Sequence, residues 1–140
     1  MALNPDSAPL HGNLAAALME AGKQVEANEH LIKAVALATD SAGLRAQLAQ
    51  TLVQSGKWKE AVPQFEQALL LTPDSPAIHS SFGAALLEHG RLEQAVPHLE
   101  RALALAPDSA EARYNLDKAL RLRGRTAGIR REDVRAGDQQ

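Results

Sequence analysis

Asn13, Gln47, Ser81 and Asn115 stand at equal intervals of 34 residues. Amides and hydroxyls both donate and accept, so such a row can hydrogen-bond the backbone of another chain whatever its side chains. Three further rows share the interval: Gly12, Ala46, Ser80 and Tyr114; Ala16, Gln50, Ala84 and Lys118; Met19, Val53, Leu87 and Arg121. Covalent chemistry finds less support. The five histidines are His11, His30, His79, His89 and His98. His11 and His79 are equivalent positions two intervals apart, as are His30 and His98, and each reads as a surface or boundary residue rather than a ligand. No nucleophile elbow, zinc-protease, phosphate-loop or dinucleotide fingerprint is present. No catalytic residue, cofactor or metal site is expected.

A row at a fixed interval needs a scaffold that repeats at that interval. Residues 61–75, AVPQFEQALLLTPDS, return at 95–109 as AVPHLERALALAPDS, with ten of fifteen positions identical. A looser copy, ANEHLIKAVALATDS, occupies 27–41, and MALNPDS at 1–7 matches the tail of another. A period in this range is the mark of a repeat array. The boundaries read as 1–7, a remnant of a preceding repeat; 8–41, 42–75 and 76–109, three repeats; 110–124, a capping helix; and 125–140, a polar, flexible tail.

Each repeat reads as two helices. In the first, Leu14, Leu48 or Phe82 precedes a small residue, Ala15, Ala49 or Gly83, and Leu18, Leu52 or Leu86 follows on the same face. Gly22, Gly56 and Gly90 then close the helix where a left-handed residue is wanted. The second helix opens near Glu26, Glu60 and Gln94. It carries a stripe of Ala27/Ala61/Ala95, Leu31/Phe65/Leu99, Ala34/Ala68/Ala102 and Leu37/Leu71/Leu105, and is expected to end at Thr39, Pro73 and Pro107. The Asp-Ser that follows can cap the next first helix. Pro63 and Pro97 fall early in second helices, where one lost backbone bond and a slight kink are expected. Leu116 and Leu120 take the core positions of the capping helix, and Gly124 the stop.

Composition agrees with this plan. Aromatics are 3% of the 140 residues, so the core is one of leucine and alanine. There is no cysteine, which excludes disulfides, thiolate metal sites and a cysteine nucleophile. No apolar run reaches the roughly 18 residues of a membrane span, and the N-terminus lacks the regions of a signal peptide. A cytoplasmic protein with no membrane contact is the default expectation. Formal net charge is −2. Residues 1–109 hold seven basic and twelve acidic side chains, while 110–140 hold eight basic and five acidic. Arg121, Arg123, Arg125, Arg130 and Arg131 make the end basic, but without interleaved aromatics no nucleic-acid partner is expected.

Phe82, Gly83, Leu86, Ala95, Leu99, Ala102 and Pro107, with the period of 34, resemble the tetratricopeptide repeat family. Repeat two departs by Ala49 for glycine. Repeat one departs by Ala15, by Gln24 where repeat two has Trp58, and by Thr39 for proline. The resemblance implies an all-α, right-handed solenoid of antiparallel helix hairpins whose first helices line a concave groove for a peptide, and on that resemblance the candidate peptide contacts in the groove are Asn13, Gln47, Gln50, Ser80, Ser81, Tyr114, Asn115 and Lys118. It also implies a test. Family members that grip the acidic tails of heat-shock chaperones do so with lysine, asparagine and arginine. The matching positions here are Gly12, Ala16, Gln47, Ala77 and Ser81, or, shifted one repeat, Ala46, Gln50, Ser81, Glu111 and Asn115. None is basic, and a carboxylate wants charge-assisted donors, so a chaperone tail is not the expected partner. The expected role is a non-enzymatic protein–protein interaction scaffold for a peptide segment. The alternatives are a recruiting arm of a larger multidomain enzyme and a homo-oligomeric scaffold associating through the exposed face of repeat one.

Overall fold

The computed structural model describes the backbone of residues 7–138 and the side chains of residues 7–125. The remnant at 1–7 therefore lies, but for Ser7, outside the described residues. The described residues form seven helices and no strand: α1 (Ala8–Glu20), α2 (Gln24–Leu37), α3 (Ala42–Gln54), α4 (Trp58–Leu71), α5 (Pro76–Glu88), α6 (Leu92–Leu105) and α7 (Ala110–Asp138). The chain divides into two compact units, Met1–Ile78 and His79–Gln140.

The starts and stops follow from local chemistry. Ser7, Ser41, Ser75 and Ser109 each accept a hydrogen bond on Oγ from the backbone N–H three residues on, at 3.2–3.3 Å. Each thus satisfies a free donor of the first turn. Gly22, Gly56 and Gly90 have φ of 77°, 76° and 70°. The N–H of the residue after each donates to the carbonyl of Leu18, Leu52 or Leu86, at 2.8 Å in all three copies. That six-to-one bond closes a helix through a left-handed residue.

Two boundaries differ from expectation. The second helices open two residues early, at Gln24, Trp58 and Leu92. One residue after the glycine, Lys23, Lys57 or Arg91, is enough to redirect the chain, and it does so without a side-chain cap. They also close early, at Leu37, Leu71 and Leu105, because the next residue has already left the helical conformation. Proline imposes this on Thr72 and Ala106. Ala38 adopts the same conformation, φ −131° and ψ 74°, before Thr39, so packing enforces the break where proline is missing. α4 and α6 run unbroken through Pro63 and Pro97, which lie on the exposed face.

In the first unit α1 packs on α2, α2 on α3 and α3 on α4. Ala15, Ala27, Leu31, Val35, Leu48, Leu52 and Ala61 make one core, flanked by Leu18, Met19, Leu44 and Val53. In the second unit α6 packs on α7, and Phe82, Leu86, Ala95, Leu99, Ala102, Ala112 and Ala119 are buried. A Cβ on Gly83 would stand 2.7 Å from Cγ and Cδ2 of Leu99 on α6. Glycine there answers to a close approach between helices.

The capping helix departs most from expectation. It does not stop at Gly124 but continues to Asp138, so the backbone of residues 125–138, expected to be a flexible tail, is helical. Gly124 lacks the positive φ of the three turn glycines. Its intrinsic cost of about 1 kcal/mol in a helix is carried by the arginine, alanine and leucine around it. Leu120 is 37% exposed, and the buried contacts of α7 are Ala112 and Ala119; among the described residues no second helix covers Leu120.

Leu52 and Leu86, 3% and 1% exposed, are the natural probes of the two cores. Leu52→Ala and Leu86→Ala should each cost about 2–5 kcal/mol, the range for a cavity between helices. Urea unfolding followed by circular dichroism reads this out, and an unchanged midpoint in both variants would refute the core assignment.

Candidate functional site

Within the first unit, Asn13 lies exposed on α1, and Gln47, half-buried, and Gln50, exposed, lie on α3. Within the second, Ser81 is half-buried on α5, while α7 carries Tyr114 and Lys118 exposed and Asn115 half-buried. These side chains all project from first helices. The serine caps and glycine turns set the phase of each of those helices, which is why equivalent residues keep the same register.

Ser80 is a correction. It was expected to line the binding surface, but it is 8% exposed and its Oγ is sealed from solvent without a hydrogen-bond partner. The repeat register supplies the reason. Ser80 takes the position of Gly12, which is buried and whose Cβ would stand 3.0 Å from Cδ2 of Leu44 on the next first helix. This row is small because helices pack there. Tyr114, in the same row, is free of that constraint and 62% exposed. It lines an open cleft of about 400 Å³ with Asp108, Ala110, Arg113 and Asp117. Arg113 is not free to move in that cleft, since its Nη2 donates to the Pro107 carbonyl at 2.9 Å.

Sequence reasoning missed what the histidines do. Nδ1 of His11 lies 3.0 Å from Nδ1 of His30, joining α1 to α2. Nδ1 of His79 lies 3.1 Å from Nδ1 of His98, joining α5 to α6. His11 is 8% exposed, not a surface residue. Burial first, and then the charge of His79, hold His98 below the ordinary imidazole value. Phe82 packs on the same ring, with centroids 4.6 Å apart. A signal was present: both pairs have a spacing of 19, and they sit two repeats apart. The middle repeat fills the equivalent places with Arg45 and Gln64, where Nη1 donates to Oε1 at 3.3 Å. Arg45 also donates from Nε and Nη2 to the Thr39 carbonyl, at 3.2 and 3.0 Å, as Arg113 does to Pro107.

The basic end is thinly engaged. Arg123, half-buried, reaches the exposed Glu93 at 3.9 Å, a pairing worth little to stability. The side chains of Arg130 and Arg131 lie outside the described residues. Among the described residues no group of three or more histidine and carboxylate side chains is placed to hold a metal ion, and no helix is long and apolar enough to cross a membrane.

An all-α helical repeat with hairpins phased every 34 residues is thus the class of this protein. Residues 18–81 match the family pattern described as tetratricopeptide repeat, and residues 83–121 a second described as TPR repeat. The chain belongs to the tetratricopeptide repeat family. Solved structures agree with this fold. The first TPR of Spaghetti (RPAP3) bound to the HSP90 peptide SRMEEVD is 23% identical, with a TM-score of 0.80 over 87% of this chain and 97% of that one. The second TPR domain of human RPAP3 in complex with the HSP70 peptide SGPTIEEVD is 26% identical, with a TM-score of 0.74 over 80% and 93%. MamA from Desulfovibrio magneticus RS-1 is 28% identical, with a TM-score of 0.74 over 84% and 66%. No curated protein matches the sequence.

The burial of Ser80 makes a direct prediction. Removing an unpartnered buried hydroxyl relieves a desolvation cost of roughly 1–3 kcal/mol. Ser80→Ala should therefore raise stability by about 1 kcal/mol in a urea melt. A loss of that size would show that the hydroxyl has a partner and serves it.

Proposed function

We propose that this chain is a non-catalytic protein–protein interaction module that holds a peptide segment against its first helices. The observation that carries this reading is the amide–hydroxyl row, Asn13, Gln47, Ser81 and Asn115. All four are exposed or half-buried, and each occupies the same place on its own helix. Such groups recognise a backbone rather than a sequence. Gln50, Tyr114 and Lys118 supply side-chain contacts beside the row. Two of the similar structures are complexes with a bound peptide, which supports the class of ligand. Those peptides both end in Glu-Glu-Val-Asp. The equivalent clamp positions of this chain offer no lysine or arginine, and residues 1–109 carry an excess of acid over base. The preferred segment is therefore neutral or basic.

Affinity in the micromolar range, about 8 kcal/mol, is expected for such a site. Replacing Asn13, Gln47 and Asn115 together by alanine should weaken capture of the natural partner at least tenfold in a pull-down while leaving the melt unchanged. Undiminished capture would reject the row as the contact. In a parallel titration by fluorescence anisotropy, the peptide SRMEEVD should show no saturable binding; micromolar binding would overturn the charge argument.

A second reading, self-association, rests on α1. Leu14 is 43% exposed, whereas its equivalents Leu48 and Phe82 are 3% and 5% exposed, and Leu10 beside it is 42% exposed. Two such faces can bury each other. Sedimentation should show a concentration-dependent dimer that Leu10→Glu with Leu14→Glu abolishes, and a monomer at millimolar concentration excludes it.

A further inference from the structure

The two histidine pairs are not used by the peptide-binding reading, and they share a geometry that tells what lies between them. In each pair the ring centroids are 5.3 Å apart, while the Nδ1 atoms are 3.0 or 3.1 Å apart. The difference is about two ring radii, so both Nδ1 atoms lie close to the line of centres. Their lone-pair directions point at each other. A cation chelated by both nitrogens would sit off that line, with the two rings converging on it. A single proton sits on the line, donated by one ring and accepted by the other.

We propose that the pairs His11–His30 and His79–His98 are one-proton latches that close hairpins one and three at neutral pH and release them in mild acid, while the Arg45–Gln64 pair keeps the middle hairpin indifferent to pH. In the neutral latch one ring is the Nδ1–H tautomer and donates; the other is the Nε2–H tautomer and accepts on Nδ1. A first added proton goes to Nε2 of the donor ring and leaves the latch intact, with one positive charge. A second must go to Nδ1 of the acceptor. Two N–H groups then face each other across the gap, and two charges repel in a partly buried site. The contact can only open.

For the second pair the sign follows from His98, whose value in the folded protein is lowered; for the first it rests on the facing Nδ1 atoms alone. A histidine with a lowered folded value contributes stability above its unfolded value, about 6.5, and that stability is lost as pH falls toward the folded one. The charged groups on the elements around the first pair are Glu20 on α1, Glu26, Glu29 and Lys33 on α2, and Arg45 on α3. Around the second they are Glu88 on α5, with His89 just past its end, Glu93, Glu100 and Arg101 on α6, and, among the described side chains of α7, Glu111, Arg113, Asp117, Lys118, Arg121, Arg123 and Arg125. Arg45 and Arg113 are anchored on backbone carbonyls, and no carboxylate is among the causes that set His98.

The middle repeat provides the control. His11→Arg with His30→Gln, and His79→Arg with His98→Gln, install the pair that repeat two already uses. Urea melts at pH 7.5 and pH 5.0 should show the full chain losing folding equilibrium constant as pH falls, by at most about tenfold per pair per pH unit. Each double swap should remove its share. Equal losses in the parent and in the chain carrying both swaps would overturn the proposal. Should a swapped chain fail to fold, nitrogen-15 spectra of the parent's histidine rings at pH 7.5 decide. One Nδ1–H and one Nε2–H tautomer in each pair is the expected result, and two Nε2–H tautomers in both pairs would sink it.

Discussion

Close approach of helices at alanine is the constraint on which the structure rests. Ala15, Ala27, Ala34, Ala49, Ala61, Ala68 and Ala95 are wholly buried, and Ala102 is 1% exposed. A methyl group buries little area, but it lets two backbones come near enough for the leucines and Phe65 beside it to fill the remaining space. Helices of 13 and 14 residues are marginal alone in water. Each depends on a neighbour for its apolar stripe, and the core of the first unit is drawn from α1, α2, α3 and α4 together. Repetition is the physical answer: a hairpin too small to bury its own faces is covered by the next. Gly83 shows the tolerance, since even a methyl there would meet Leu99.

The hairpins also share a polar device that the repeat register leaves free to vary. A buried or half-buried hydrogen-bonded pair links first helix to second at one level in every repeat, as His11–His30, Arg45–Gln64 and His79–His98. Buried polar groups must be paired, so a change at one end demands a matching change at the other. Asn28 illustrates the limit: its Nδ2 donates to Ser55 Oγ at 2.9 Å, while its Oδ1 stays buried without a partner. Its equivalents are Val62 and Val96, which avoid the cost altogether.

Function in such a scaffold resides on the surface the core leaves over. Serine caps and glycine turns give each first helix the same phase along its own sequence, and in the proposed reading the chemistry of the row is a matter of which residues stand there. Amides and hydroxyls favour a backbone, and the lack of basic side chains at the clamp positions disfavours an acidic tail. Tyr114 and its cleft at the start of α7 add the one large aromatic surface among the candidate contacts, beside Asp108 and Asp117.

The 34-residue period, the glycine turns, the serine caps and the apolar stripes were all legible in the chain, because each is a local rule that a neighbouring residue type satisfies. They determined the all-α repeat and the tetratricopeptide family. Tertiary packing decided the rest. It closed α2 at Leu37 without a proline, buried Ser80 in a row of small residues, and left Leu14 uncovered where Leu48 is covered. It carried α7 past Gly124, since a glycine stops a helix only where the chain must turn. It also brought His11 to His30 and His79 to His98. A spacing of 19 residues carries no contact of its own, and only the antiparallel return of a hairpin gives it one.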